Sequence, residues 1–370
     1  MNKHNIIIYR QKLLLFSEGF IPTSYIGFNE LDPHFITNIS GWNIDTLNYQ
    51  NFSISNNFIS NVLFKLNGYV ERSTSKKILK LKPKLIHAHF GKNGSLILPY
   101  AKKHNLPLFV TFHGGDATKF KHIKKSFLRI YNRRKKNLIE YTSKFICVSN
   151  YIADSLSNQN FPDEKIIVNY NGIEINSTNN DTPIIDKELP LLFIGRLVEK
   201  KGVETLIKSI IFLNQNGYKN LKLNIIGDGF EMNKLKNLAK NKNINFLGWK
   251  KKDEIKKIMA ESSALVIPSQ KANNGDCEGL PTTLLEGIEF GLPIIATNHS
   301  GINEIIEDNV SGLLCEENNP IALAECIKKF IHSNNIKEMT LESKKRLNMN
   351  FDALKQSKKL EEILIKYSKS

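Results

Sequence analysis

The chain has 370 residues, of which 41% are apolar, 9% aromatic and 24% charged, and this composition excludes a small disulfide-stapled module, a disordered chain and collagen. Its 52 Lys+Arg against 36 Asp+Glu give a formal charge of +16, open to nucleic acid, an anionic membrane or phosphorylated small molecules. Residues 1–180 hold 24 basic and 11 acidic side chains, net +13, and residues 181–370 hold 28 and 25, net +3, so the excess belongs to the first half. Heavy use of Asn, Lys and Ile throughout is also what an AT-rich genome would produce. The four cysteines, 147, 277, 315 and 326, have no metal-ligand spacing and read as reduced thiols of a cytosolic protein. No apolar stretch approaches the ~20 residues of a membrane span, and Arg10, Gln11 and Lys12 interrupt the first apolar runs, so neither a signal peptide nor a transmembrane helix is expected.

Short β-branched or aromatic runs alternate with amphipathic segments from the start: NIIIY (5–9), LIHAH (85–89), PLFVTF (107–112), KFICVS (144–149) and IIVNY (166–170). That rhythm predicts βαβ units and a parallel sheet. Residues 174–189 are polar and contain a proline, a linker composition, after which the alternation resumes with LLFIG (191–195), LKLNIIG (221–227), NINFLG (243–248), ALVIPS (264–269), PIIAT (293–297) and GLLC (312–315). Two doubly wound Rossmann-like α/β domains, 1–178 and 179–350, account for the length, and 351–370 reads as a C-terminal helix able to pack back on the first domain. Its apolar face is expected to carry Leu354, Leu360, Leu364 and Tyr367.

In such sheets ligands bind beyond the carboxyl ends of the strands. After LLFIG come Arg196 and Lys201-Gly202 on a strand-to-helix loop, two cations beside a helix N-terminus and so a candidate diphosphate site. Further on, Glu278 and Glu286 are eight residues apart, with Pro281 suited to a first helical turn and Gly291 to a helix end. Carboxylates so placed can accept bonds from sugar hydroxyls while the N–H groups of Thr282 and Thr283 face an anion. Glu286, set among Leu284, Leu285 and Ile288, is expected to be partly buried and to need a partner. In the first half, His113 follows a strand, Gly114 and Gly115 permit close approach of a ligand, and Asp116 is positioned to fix the ring, with orientation of a ligand favoured over proton transfer. His87 and His89 on LIHAH are not expected to bind metal, one face of that strand being packed. Gly91 to Gly94 are placed beside the acceptor site. The segment 119–136, KFKHIKKSFLRIYNRRKK, is basic and amphipathic, as a membrane-surface helix is.

GRLVEKKG, the GDG of Gly227 to Gly229, FLGW (246–249), the E-x7-E of Glu278 and Glu286, and GLPIIATNHSGINEII, together with HAHFG, TFHGGD, CVSNYIADSL and NGIE, resemble the retaining glycosyltransferases of family 4, in their bacterial surface-polysaccharide branch. The resemblance covers nearly the whole chain and implies the GT-B fold, two Rossmann-like domains facing across a cleft. It further implies a nucleoside diphosphate sugar donor, UDP- or GDP-linked, and a saccharide or polyprenyl-diphosphate-linked acceptor at the inner face of the plasma membrane. Arg196 and Lys201 would hold the diphosphate, Gly227 would line the nucleotide site, Glu278 would contact the transferred sugar and Glu286 the ribose hydroxyls. His113 would face the donor sugar from the first domain. No cofactor is expected, and the absence of a DxD pair predicts metal independence. The short SEGF (17–20) departs from the family's Gly-rich first loop. Gly-Leu-Pro after Glu278 is a second departure.

Three other readings fit less of the sequence. A nucleic-acid-binding protein rests on the charge alone and lacks a recognition motif. A dehydrogenase reading of Gly227-Asp228-Gly229 lacks the third glycine and the acid near 245. A sugar-nucleotide epimerase shares the fold and is the closest alternative.

Overall fold

The computed structural model describes residues 3–13, 18–38, 49, 51–54, 57–119, 129–175, 186–240 and 243–368. The chain forms two compact units, one of Met1–Glu174 with Ala353–Ser370, the other of Ile175–Asp352.

The first unit holds a seven-stranded parallel sheet of β1 (His4–Tyr9), β2 (Leu31–Thr37), β3 (Asn51–Ser53), β4 (Ile86–His89), β5 (Leu108–Phe112), β6 (Thr142–Cys147) and β7 (Ile166–Val168). Their spatial order is β3-β2-β1-β4-β5-β6-β7, so the order reverses between β1 and β4. The strands are apolar runs because helices cover both faces, and residues such as Ile6, Ile8, Phe109 and Ile146 pack one side while Ile7, Ile86, Val110 and Phe145 pack the other. Five of the seven strands coincide with the runs read from the sequence. β2 does not, because LDPHFIT carries Pro33, which argues against a central strand. The structure accommodates it by geometry: Pro33 is paired to Ile6 of β1, whereas β3 joins β2 only from Phe35 onward.

Gly91 and Gly94 start the helix Gly91–Lys103 that follows β4. A Cβ on Gly91 would lie 2.3 Å from Phe112 Cε1, and one on Gly94 2.7 Å from Val110 Cγ2. These glycines therefore let helix and sheet touch, a packing role that their placement beside an acceptor site did not include.

The second unit repeats the plan with β8 (Leu191–Ile194), β9 (Leu223–Ile226), β10 (Ile244–Gly248), β11 (Ala264–Ile267), β12 (Ile294–Thr297) and β13 (Leu313–Cys315), in the order β10-β9-β8-β11-β12-β13. All six match sequence runs. Here the order reverses between β8 and β11.

The helix Ala353–Ser368 packs on the first unit. Leu360 and Leu364 enter its core, and the buried Glu361 carboxylate accepts the backbone N–H groups of Asn29 (2.9 Å), Glu30 (2.8 Å) and Leu31 (2.7 Å). Leu354, expected on the apolar face, is 53% exposed instead, and its carbonyl is the atom that Gly27 approaches. No helix among the described residues is long and apolar enough to cross a membrane.

Candidate functional site

In the second unit the loops after β8 and β11 flank the point where strand order reverses, the usual place for a ligand in an open α/β sheet. Gly195 leaves β8 and Arg196 follows, exposed, its side chain without a hydrogen bond or ion pair among the described residues. The chain then turns through Glu199–Lys201 into Gly202, whose φ of +66° and whose Cα lying against Pro268 exclude a side chain, since a Cβ would meet Pro268 O at 1.7 Å. This contact fixes Lys200 and Lys201 against the loop after β11.

Both lysines reach Glu278 Oε1 at 3.3 Å, and Lys200 also pairs with Asp276 at 3.2 Å. Burial raises the Glu278 carboxyl, but Lys201 and Lys200 outweigh it and hold the group at about 2. Burial lowers the Lys201 ammonium, opposed by Glu278 and reinforced by Lys200 and Arg196, so the net shift is downward. Lys200 goes the other way, because Glu278 and Asp276 together overcome its burial. The backbone N–H of Glu278 donates to His299 Nε2 at 3.4 Å, which leaves the His299 Nδ1–H for Glu317. Sequence reasoning missed Lys200, Asp276 and His299. The doubled lysine of EKKG was the available signal for the first, whereas the other two become neighbours of Glu278 only through the fold.

The helix Thr282–Phe290 starts behind Pro281, and Leu284 is its first residue to donate inward, to Pro281 O. The N–H groups of Thr282 and Thr283 have no partner among the described residues, so they present a partial positive charge. The Glu286 side chain is exposed and has no hydrogen-bond or ion-pair partner among the described residues, yet desolvation by its surroundings, opposed by Lys252, still raises its carboxyl, so the expected partial burial survives as an electrostatic effect and the expected partner does not. The helical phase explains this: Leu284, Leu285, Gly287 and Ile288 are buried, and Glu286 falls on the remaining face.

Gly227 and Gly229 lie beneath the Arg196 loop. A Cβ on Gly227 would be 1.8 Å from Gly195 O and one on Gly229 2.3 Å from Leu197 O, while Leu197 N donates to Asp228 O at 2.9 Å. This glycine pair thus serves loop packing and carries no dinucleotide fingerprint. Gly227 N is committed to Gly248 O at 2.9 Å, so it offers a ligand no N–H.

In the first unit His113 stands just past β5. Asp116 does not touch its ring. The carboxylate instead accepts the N–H groups of His113 (3.0 Å), Gly114 (2.9 Å) and Gly91 (3.1 Å), which tie two loops together. The ring contacts Phe20 and Phe90, with centroids 4.9 and 4.6 Å away, and Nε2 lies 2.9 Å from His89 Nδ1. Phe90 has φ +72°, a strained value for an aromatic residue, and Arg10 sits over its ring at 4.2 Å. Burial, then Arg10 and His87, push the His113 pKa well below its ordinary value. His87 and His89 lie two apart and share a face of β4, both fully buried.

The basic segment 119–136 is described only at 119 and from 129 onward, its middle lying outside the described residues. In the helix Arg129–Tyr141, Tyr131 and Leu138 are core, Arg134 donates to Ser95 O and Leu66 O at 2.8 and 2.6 Å, and Lys135 donates to Gln159 O at 3.0 Å. Only Arg133 and Lys136 of the four consecutive cations are exposed.

Two doubly wound units, with cations, a buried carboxylate and free helix N–H groups at the switch point of the second, define a GT-B glycosyltransferase. Across nearly the full length the structure superposes on Anabaena HepE in complex with UDP, at TM-score 0.76 and 16% identity, covering 98% of this chain and 100% of that one. The profile "Glycosyltransferase Family 4" matches residues 48–177 and "Glycosyl transferases group 1" matches 175–356. An uncharacterized glycosyltransferase of Methanocaldococcus jannaschii is 32% identical over 275 residues, 72% of this chain and 71% of that protein. The amylovoran biosynthesis glycosyltransferase AmsK of Erwinia amylovora is 32% identical over 249 residues, 65% of this chain and 60% of AmsK. The chain belongs to glycosyltransferase family 4, in the branch with surface-polysaccharide relatives.

Proposed function

We propose that the chain transfers a sugar, with retention, from a UDP- or GDP-linked donor to a saccharide carried on polyprenyl diphosphate during assembly of a bacterial surface polysaccharide or lipopolysaccharide. The cluster of Arg196, Lys200, Lys201 and Glu278 carries this reading. Departure of the nucleoside diphosphate leaves an oxocarbenium-like sugar and a growing negative charge. Arg196, which has no protein partner to give up, meets that charge first. Lys201 adds to it once a phosphate oxygen competes with Glu278, and Lys200 keeps the carboxylate neutralised meanwhile. The N–H groups of Thr282 and Thr283 supply the helix-terminal share. Glu278, held as a carboxylate, is suited to accept from hydroxyls of the transferred sugar, and exposed Glu286 from the ribose. His113 orients the donor sugar. The diphosphate charge is met by these groups without a metal ion, and removing one of them costs on the order of 3 kcal/mol in the barrier.

The relative's name supports the polysaccharide assignment and the UDP complex supports the donor class. A thermal-shift screen with UDP, GDP and their sugar conjugates, repeated with EDTA and with Arg196→Ala, tests it. Stabilisation by one nucleotide, unchanged by EDTA and lost in Arg196→Ala, is expected; no stabilisation of the unaltered protein rejects the site. Net epimer from donor alone would favour the epimerase.

Peripheral attachment at the inner membrane face is proposed on one surface of the first unit. On the helix Phe58–Asn67 the inward side chains are Ser60 and Phe64, while Phe58, Ile59 and Leu66 are 81%, 70% and 56% exposed. The following helix Arg72–Lys80 is basic, and Arg134, which donates to Leu66 O, brings a cation to the end of the helix Phe58–Asn67. Exposed apolar side chains on a strongly basic unit suit an anionic bilayer.

A further inference from the structure

A row of buried polar groups runs through the first unit to His113. Thr111 Oγ1 lies 2.7 Å from His87 Nε2, His87 Nδ1 lies 2.8 Å from the Tyr25 hydroxyl, that hydroxyl lies 2.6 Å from His89 Nε2, and His89 Nδ1 lies 2.9 Å from His113 Nε2. Thr111, His87, Tyr25 and His89 are each 5% exposed or less. The row ends at His113 Nδ1, which is buried with no partner among the described residues.

Proton counting restricts this row to two states. Burial lowers all three imidazoles, so each is neutral and has one N–H and one lone pair. Tyr25 has a single hydroxyl hydrogen between two ring nitrogens, and unless that buried hydrogen is left unbonded while both rings donate to the oxygen, one ring donates to it and the other accepts from it. Every bond in the row therefore runs in the same sense. In one sense Thr111 donates to His87, His87 to Tyr25, Tyr25 to His89 and His89 to His113 Nε2, which leaves an N–H at His113 Nδ1. In the opposite sense His113 Nδ1 has a lone pair, and the Thr111 hydroxyl hydrogen must find another acceptor. Thr111 Oγ1 has no second partner among the described residues, so that sense strands a hydroxyl hydrogen whether or not the site is filled, whereas the first strands only the His113 Nδ1–H, which a ligand oxygen can take, and the first is favoured in the occupied site.

We propose that Thr111, His87, Tyr25 and His89 are positioning residues that set the tautomer of His113, so that it presents a neutral Nδ1–H donor to an oxygen of the bound sugar. The proposal rests on the reading of His113 as a sugar contact and adds to it the direction of the bond and the residues that impose it. A neutral donor recognises a hydroxyl or ring oxygen and has no charge to trap a departing diphosphate. Phe20 and Phe90 hold the ring between them, and its burial, then the Arg10 charge, keep it unprotonated.

Long-range proton–nitrogen correlation spectra of the ¹⁵N-histidine-labelled full chain read the tautomer without any turnover. The expected result is the Nδ1–H form of His113 in the unaltered protein with a nucleotide sugar bound, shifted toward the Nε2–H form usual in water by Tyr25→Phe and by Thr111→Val. An Nε2–H form of His113 in the unaltered protein, or no change in either variant, overturns the relay. Transfer kinetics then test its use: Tyr25→Phe should lower kcat by about 10-fold, the scale of one net hydrogen bond, with donor KM nearly unchanged. His113→Ala should lose at least as much, and Tyr25→Phe should add nothing on top of it. If His113→Ala transfers normally while the spectra behave as expected, the sugar contact is wrong and the relay is right, so the two failures are separable.

Discussion

Acidification tests the histidine row as a stability element. His87 is fully buried and its pKa falls from 6.5 to about 3, while His89 and His113 move in the same direction. The folded state thus refuses protons that the unfolded chain accepts, and stability present above pH ~6.5 is lost as pH falls toward about 3. At pH 5.5 an unfolded histidine is about nine-tenths protonated, so three such groups take up about 2.7 protons on unfolding, a slope of about 3.7 kcal/mol per pH unit. Between pH 7.5 and 5.5 the integrated loss is about 1.3 kcal/mol per histidine, about 4 in all, against a typical total of 5–15. Urea titrations across this range measure the slope, and calorimetry in buffers of different ionisation enthalpy counts the protons directly. The slope, unlike absolute stability, is insensitive to the cavity that a substitution leaves, so His87→Asn should lower it by about 1.3 kcal/mol per pH unit whatever its melting temperature. An uptake of one proton or fewer at pH 5.5 would falsify the claim that all three rings are held neutral.

Three further outcomes follow from the packing. Glu278→Gln leaves two ammonium groups facing a neutral amide; it should abolish transfer and remove the acid-labile stabilisation that the carboxylate provides above pH ~4.3 and loses as pH falls through about 2, roughly 3 kcal/mol by titration-linked unfolding. Equal acid sensitivity of the two proteins between pH 5 and 3 counts against the ion-pair cluster. Glu361→Ala strands three backbone N–H groups and should release the helix Ala353–Ser368, read as faster amide exchange at residues 29–31 and 353–368; exchange unchanged there means that Leu360 and Leu364 hold the helix alone. Phe58→Ser with Leu66→Ser should weaken sedimentation with anionic liposomes by 10-fold or more, and Arg133→Glu with Lys136→Glu by less, both sparing nucleotide binding; an intact double serine variant removes the proposed membrane face.

Sequence periodicity located eleven of thirteen strands because parallel strands buried on both faces leave an uninterrupted apolar signature. β2 escaped because Pro33, Asp32 and His34 break that signature while the fold supplies each an allowance: Pro33 faces the unpaired edge, and His34 Nε2 bonds Asn5 at 2.8 Å. Among the site residues, Arg196, Lys201 and Glu278 were legible since loop position and charge suffice to suggest a diphosphate site. Lys200 was not, because a doublet of lysines on a loop does not show that both members turn inward. The two-residue spacing of His87 and His89 already puts them on one face of β4, whereas Tyr25, distant in sequence and lying past a departure from the family's usual first loop, gave no sign that it bridges them.

The glycines show why one signal was read correctly in outline and wrongly in detail. Each marks a place where the backbone must come close to something, and sequence alone leaves that something open between a ligand and the protein. At Gly202, Gly227 and Gly229 the near atoms are Pro268 O, Gly195 O and Leu197 O, all backbone, and at Gly91 and Gly94 they are Phe112 and Val110. The glycine pattern is therefore a requirement for stacking loops over the ends of β8, β9 and β11 in the second unit and for seating a helix on β5 in the first. Chemistry enters one step later. Because those loops cannot move apart or admit a Cβ, Lys200, Lys201 and Glu278 are confined to one buried cluster. Arg196 and the N–H groups of Thr282 and Thr283 are left as the groups with no protein partner, and unpartnered donors beside a paired carboxylate are what an incoming diphosphate sugar can use without breaking more than one ion pair.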